Sequence, residues 1–303
     1  MKATTIFIQI FFLCICFCNC VKAQITDWEE HKLKGRVKTL KIISYVAANK
    51  FGKAVKTKKS FTIEYIYNEK GRNLEMIGFK PDGGFNGKTK YDYDENGYLI
   101  SIYGYNSDGN LDKKTSYKYD NKGKRIEENS FTSDGISFEN KTFYKYDESG
   151  KVLESVFETK NYYKKSLFEY DEIGNLILSS SFKDNGNLIE KSSYTFEGHK
   201  IEEKFFNADG SISVTIINKY DEIGNKIEVI RYKSDGSLIG KNIIRYNDKN
   251  ETVEEKFFNA DGSLEVKYTF KFEYDKIGNK TKSVFYKNDI PLNITAREIE
   301  YFD

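Results

Sequence analysis

The residues able to do chemistry in this chain are few, and their spacing favours structure over catalysis. Two histidines occur, His31 and His199. Neither has a serine or carboxylate at a spacing that builds a nucleophile–base pair. Asp92, Asp94, Asn96 and Gly97, in DYDENGYLISIY, open like a calcium loop, but Tyr103 stands where that loop needs a bidentate glutamate. A repeated turn accounts for them better. Acidic residues that could pair for glycoside hydrolysis are everywhere, and each fits a turn or a charged face. Glycine-rich phosphate loops are absent from the sequence. No catalytic, metal-binding or cofactor-binding residue is therefore expected.

All four cysteines, Cys14, Cys16, Cys18 and Cys20, fall within the first 23 residues, MKATTIFIQIFFLCICFCNCVKA. That stretch has a lysine, an apolar run and small residues before Gln24, the layout of a secretory signal cleaved between Ala23 and Gln24. Its apolar run is short of the ~20 residues of a membrane span. The mature chain then has no disulfide, no thiol nucleophile and no thiolate site. Lys2 and Lys22 leave with the signal, so basic and acidic residues balance at 46 each. No basic field is left to attract nucleic acid. The expected product is exported to the periplasm, cell surface or medium, with no transmembrane segment in its mature chain.

The elements that would position any site follow from a period. A tyrosine followed by Asp or Asn, with Gly four residues on (Asn250 in the copy at Tyr246), recurs at Tyr67, Tyr93, Tyr119, Tyr146, Tyr170, Tyr220, Tyr246 and Tyr274, with a worn copy at Phe196. Its glycines include Gly97, Gly123, Gly150, Gly174, Gly224 and Gly278. The spacing is about 26 residues. Half-way along most units a second marker, an aromatic followed by two residues and then Asp-Gly or Asn-Gly, recurs at Phe79, Tyr105, Phe131, Phe182, Phe206, Tyr232 and Phe258. In two units it reads FNADG, with Asp209-Gly210 and Asp261-Gly262 making the reversal. Both markers are hairpin turns, so each unit holds two strands.

Parity supports strands. In SLEVKYTFKFEYD, Leu264, Val266, Tyr268, Phe270, Phe272 and Tyr274 alternate with charged residues and Thr269. From the first apolar residue of such a strand to its tyrosine the distance is always even, as from Phe85 to Tyr93 or from Ile136 to Tyr146, so the face is never flipped. The other strand of the unit places Leu74 and Phe79 five residues apart, which predicts a β-bulge or a sheet packed on both sides. The Tyr and Phe residues follow this parity and are expected to fill a core. The fold class is therefore all-β: an antiparallel hairpin repeat forming a long curved or spiral meander. Residues 24–60 are expected to form a lead-in or cap on the first open edge, and 61–303 the repeat domain.

The segments YDYDENGYL, YKYDNKGKR, YKYDESGKV, FEYDEIGNL, NKYDEIGNK and FEYDKIGNK resemble the YD repeats of the RHS family of exported bacterial proteins. The likeness runs from about residue 60 to the last. The regular Asp-Gly second turn also resembles variant MORN repeats. The resemblance implies a curved or spiral β-repeat sheet, in large members a shell around a toxin, and in some relatives sugar binding. No segment like the one that ends those shells is found, so toxin delivery is not expected. The expected function is a non-enzymatic, exported binding module for a protein or polysaccharide partner. A polysaccharide-acting hydrolase and an immunity or inhibitor protein are the alternatives.

Overall fold

The structure, a computed structural model, describes residues 26–303. The cleavage position expected at Ala23 and Gln24, and the cysteines before it, lie outside the described residues. A one-turn helix, α1 (Asp27–Glu30), precedes twenty strands. They run from β1 (Val37–Lys50), β2 (Lys53–Tyr67), β3 (Asn73–Phe79) and β4 (Phe85–Tyr93) to β19 (Lys280–Lys287) and β20 (Ile290–Tyr301). Every consecutive pair is antiparallel, so the chain is an up-and-down meander.

Strand ends fall where the parity rule puts them: Phe85–Tyr93, Leu111–Tyr119, Ile212–Tyr220, Leu238–Tyr246 and Leu264–Tyr274 are each one strand. One start is displaced. The strand ending at Tyr146 begins at Phe138, and Ile136 lies in the preceding turn, its N–H donating to Asp134 Oδ1 at 2.9 Å. The step from Phe138 to Tyr146 is still even. The bulge is present: Ile66 pairs with Glu75 but Tyr67 with Asn73, so Leu74 has no partner of its own. The shift places Phe79 on the sheet face opposite Tyr67.

Both turns of the unit are the same loop. At one end Asp94 N–H donates to Tyr98 O (2.9 Å) and Gly97 N–H to Asp94 O (2.9 Å). At the other, Lys80 N–H donates to Gly84 O (2.8 Å) and Gly83 N–H to Lys80 O (2.9 Å). Gly97 (φ 82°) and Gly83 (φ 92°) take the left-handed conformation that closes each loop. Only the aspartate moves. It opens the first loop, where Asp94 Oδ1 accepts the Tyr98 N–H at 2.8 Å, and stands third in the second, where Asp209 Oδ1 accepts the Ser211 N–H at 2.9 Å.

The open curved or spiral meander is overturned by one pairing. β1 pairs with β2 from Lys50↔Lys53 to Thr39↔Ile66, and with β20 from Val37↔Tyr301 to Val46↔Asn293, so the twenty strands close into a β-barrel. Strand twist already curls so wide a sheet. The lead-in, which lacks the repeat's markers, supplies the strand that joins its two edges, and β2 runs through residue 60 without a break. Side chains clasp the seam. Buried Asn279 accepts the Lys34 N–H (2.7 Å) and donates to Lys34 O (2.8 Å) and to Tyr301 Oη (2.8 Å). Asn293 donates to Ser44 Oγ at 2.7 Å.

The expectation that Tyr and Phe fill a core does not hold either. Among the described residues the buried apolar clusters lie around the seam: Val37, Leu40 and Tyr67 in one, Ala47, Val284 and Ile294 in the other. Along the rest of the wall most side chains are only half-buried. A closed sheet of twenty strands is too wide for its side chains to meet across the middle. No connection between strands exceeds six residues, so none is long enough to plug it.

Candidate functional site: the lumen wall

Register divides the wall into two faces. One carries the tyrosine anchors. It is crowded and desolvated: burial raises the phenols of Tyr65, Tyr67, Tyr93, Tyr117 and Tyr119 and pushes Tyr91 up to about 12. Small residues such as Ser130, Ser166, Ser181 and Ser192 are buried among them. The opposite face spreads into solvent, with the Lys118 and Lys145 side chains 62% and 73% exposed. Closing a sheet crowds its concave side, so the tyrosine face lines the lumen.

On the outer face charges cancel locally. Glu228 lies between Lys219 (2.6 Å) and Lys241 (3.5 Å), Glu154 between Lys145 and Lys165 (2.8 Å each), and Glu254 between Arg245 (3.4 Å) and Lys256 (3.0 Å). The mid-unit aromatics also point outward, and four of them are covered by the lysine directly across from them. Lys88 lies over Tyr105, Lys114 over Phe131, Lys191 over Phe206 and Lys241 over Phe258.

On the inner face the anchors spend their hydroxyls on the neighbouring unit. Tyr93 Oη donates to Asn73 O (3.0 Å), Tyr119 to Leu99 O (2.7 Å), Tyr170 to Val152 O (2.9 Å) and Tyr220 to Lys200 O (2.8 Å). Tyr146 does the same to Arg125 O, whereas Tyr274 turns to the Glu251 carboxylate. These bonds tie each unit to the one before it. Gly123, Gly150, Gly174, Gly224 and Gly278 close the loops at this rim, and Gly210 and Gly262 those at the other, all at positive φ. The sequence-predicted positions therefore form the two rims and converge on no single point.

A convergent cluster does form, where α1 folds over the tyrosine rim at the start of the barrel. Asp27 Oδ2 accepts the Asn73 N–H at 2.7 Å, and Trp28 Nε1 donates to Val37 O at 2.8 Å. The Trp28 ring lies over Gly71, where an added Cβ would meet its Cε3 at 2.6 Å, and Gly71 holds φ 77° besides. This seats His31 against Tyr65 (ring centroids 4.6 Å), with Nδ1 2.5 Å from Tyr67 Oη. Burial lowers the imidazole's pKa, so it is neutral at neutral pH and shares one hydrogen bond with the phenol. Tyr65 and Tyr67 stack at 15°. Arg297, two residues along β20 from Ile299, belongs to the same inner surface, and its charge acts on His31, Tyr65 and Tyr67. Burial lowers its guanidinium.

Further along the same face, Gly78 pairs with Gly87, and Gly104 pairs with Thr89 two residues on; together they floor an open groove of about 420 Å³ bordered by Phe61, Ile63 and Met76. A Cβ at Gly87 would stand 2.8 Å from Tyr105 O. Four inner carboxylates on the strands are engaged: Glu128 with Arg125 (3.4 Å), Glu203 with Asn218 (3.0 Å), Glu251 with Lys280 (2.9 Å) and Glu255 with Asn242 (2.8 Å). Glu30 of α1, whose carboxyl is raised by burial and then by Asp27, acts on Tyr65, Tyr67 and Tyr91. His199 stacks on Tyr220 (4.7 Å), far along the wall from His31. Asp94 is taken up by its own turn. Among the described residues no three His, Cys, Asp or Glu side chains gather as metal ligands. Sequence reasoning missed Arg297 and the role of His31. Only closure of the barrel brings them together, and no local spacing records it.

A family model described as "Uncharacterised protein" matches residues 107–212 and, overlapping them, 171–298, together more than half of the chain. The chain belongs to that family. No curated protein matches it. Among solved structures it is similar to the TcdB2-TccC3 complex (15% identity, TM-score 0.38, covering 84% of this chain and 15% of that one). It is also similar to a porin-like protein from Bacteroides uniformis (11% identity, TM-score 0.37, covering 87% and 98%). A third is a eukaryotic initiation factor (7% identity, TM-score 0.34, covering 85% and 87%). The chain thus spans only 15% of the first of these.

Proposed function

We propose that this family is a form of YD repeat, and that its barrel is an exported, non-enzymatic binding protein holding a polysaccharide segment in its lumen. The observation that carries this reading is the contrast between the two faces. Outside, charged groups and aromatics are matched to each other. Inside, half-buried tyrosine rings line a wet channel, and the Tyr65 and Tyr91 hydroxyls bond to no other group among the described residues. Flat rings with spare hydroxyls suit sugar faces and sugar hydroxyls.

The repeating segments, with their Tyr-Asp and distant Gly, support the YD assignment, and the N-terminal signal supports export. Lipid is a poor environment for this outer face. Lysines stand at mid-strand all round it, and each costs roughly 2–4 kcal/mol at a bilayer midplane. Among the described residues, no helix is long and apolar enough to cross a membrane. Hydrolysis needs a free acid and a free carboxylate facing each other. Glu128, Glu203, Glu251 and Glu255 are instead engaged by arginine, lysine or amide groups, and Glu30, whose carboxyl burial raises, faces no second free carboxylate on the β-wall among these, which favours binding over cleavage.

The test is a glycan array with the chain from Gln24 onward, followed by titration of any hit against Tyr65→Ala and Tyr91→Ala. Binding that weakens in both variants is expected. Binding unaffected by either, or retained only on outer-face residues such as Phe258, contradicts a lumen site.

A further inference from the structure

Arg297 is an unmatched positive charge on the lumen wall among the described residues. Its side chain is half-buried on the inner face of β20, level with Ile42 of β1 and Ile63 of β2. It makes no hydrogen bond and no ion pair within 4 Å among the described residues. The nearest inner carboxylate in its field, Glu251, is already held by Lys280 and Tyr274. Beside it stand the Tyr65 hydroxyl, also unbonded, and the neutral, uncharged face of His31. A desolvated guanidinium without a partner is a cost to the empty protein. Its planar fork is shaped for two oxygens of one anion.

We infer that the lumen wall around Arg297, Tyr65 and His31 is an anion-binding subsite, taking the carboxylate or sulfate of an acidic saccharide. The guanidinium grips the anion, the Tyr65 hydroxyl donates to the same group or to a neighbouring sugar hydroxyl, and the stacked Tyr65–Tyr67 pair offers its faces to the ring. Arg125 and Arg231 are also on the inner face, but Arg125 is paired with Glu128 and laid over Tyr117 (4.2 Å), and Arg231 donates to Asn242 (2.7 Å). They are spent where Arg297 is free. The saccharide part of this inference rests on the function proposed above, and the anion part does not.

The experiment titrates the mature protein and Arg297→Gln with three probes: tetragalacturonate, its full methyl ester, and sodium sulfate, by calorimetry and by melting temperature. The acid should bind the wild type about tenfold or more tightly than the ester, the worth of one charge-assisted contact, and Arg297→Gln should abolish that preference. The variant should melt no lower than the wild type, because an uncompensated charge has been removed. A purely structural arginine would lower the melting temperature. Equal acid preference in the two proteins overturns the inference. Equal binding of acid and ester to the wild type keeps the saccharide reading and removes the anion subsite. Stabilisation of the wild type alone by sulfate, with neither sugar bound, keeps the subsite and removes the saccharide. Absence of all three removes both.

Discussion

The two aromatic positions of the repeat sit in the same five-residue loop geometry at opposite rims, yet they are handled in opposite ways. The tyrosine at one rim points into the lumen, and its hydroxyl is bonded to the preceding unit's backbone. The Phe or Tyr at the other rim points outward, and at Tyr105, Phe131, Phe206 and Phe258 a lysine from the preceding strand lies over its ring. The bulge at Leu74 and its equivalents produces this inversion, because it shifts the strand's parity between the two rims. One repeat thus builds a wall with a knitted inner face and a solvated outer face. The difference teaches that aromatic content alone does not identify a core. Here it divides between adhesion of units inside and cover outside.

That comparison breaks most visibly where the inner face is deepest. Tyr67 is 2% exposed, so Tyr67→Ala should cost about 3–5 kcal/mol, whereas Phe258→Ala on the outer face should cost about 1–2 kcal/mol. Urea midpoints at unchanged slope would check both. Equal losses would erase the distinction between faces.

The second expectation concerns pH. Burial, aided by Arg297 and opposed by Asp27, puts the folded pKa of His31 below the ordinary 6.5. The unfolded chain then binds the extra proton first, so this contribution is complete above 6.5 and is lost as pH falls through the folded value. Melting temperature should fall between about pH 7 and 5, and His31→Gln should flatten that part of the profile. A profile unchanged by the substitution would disconnect His31 from the buried network.

Smaller effects distinguish the two rims bond by bond. Tyr220→Phe removes the shorter of two side-chain hydrogen bonds to the Lys200 carbonyl, leaving that from Asn218 Nδ2 at 3.3 Å, and should cost about 1 kcal/mol, independent of salt. Glu228→Gln, between two exposed lysines, should cost under about 1 kcal/mol, and that loss should vanish in high salt. A salt-sensitive loss at Tyr220, or a salt-insensitive one at Glu228, would reverse the assignment of the faces.

Much of the wall was legible in the sequence. Even steps such as Phe85 to Tyr93 mark strands whose one face must stay on one side, and Asp-Gly loops mark where they reverse. The odd step from Leu74 to Phe79 could be satisfied only by a bulge or a two-sided sheet, and the bulge is there. Closure was not legible. It depends on twist accumulated over twenty strands and on β1, a strand whose residues carry no repeat marker and whose partner β20 lies some 250 residues away. The candidate site shares that fate. His31, Tyr65 and Arg297 are ordinary in their local contexts, and they become one surface only once the last strand meets the first.

Closure is also what a single measurement tests most directly. Lys41 and Glu298 face each other across the β1–β20 seam on the outer wall, with Nζ 3.4 Å from the carboxylate. With residues 1–23 omitted, the chain has no cysteine of its own. The double variant Lys41→Cys, Glu298→Cys should form an intramolecular disulfide on mild oxidation of the folded monomer, since directly paired strand positions meet the geometry such a bond requires. Thiols that stay free in the folded monomer, or that link only between molecules, would contradict a closed barrel and return the sheet to an open form.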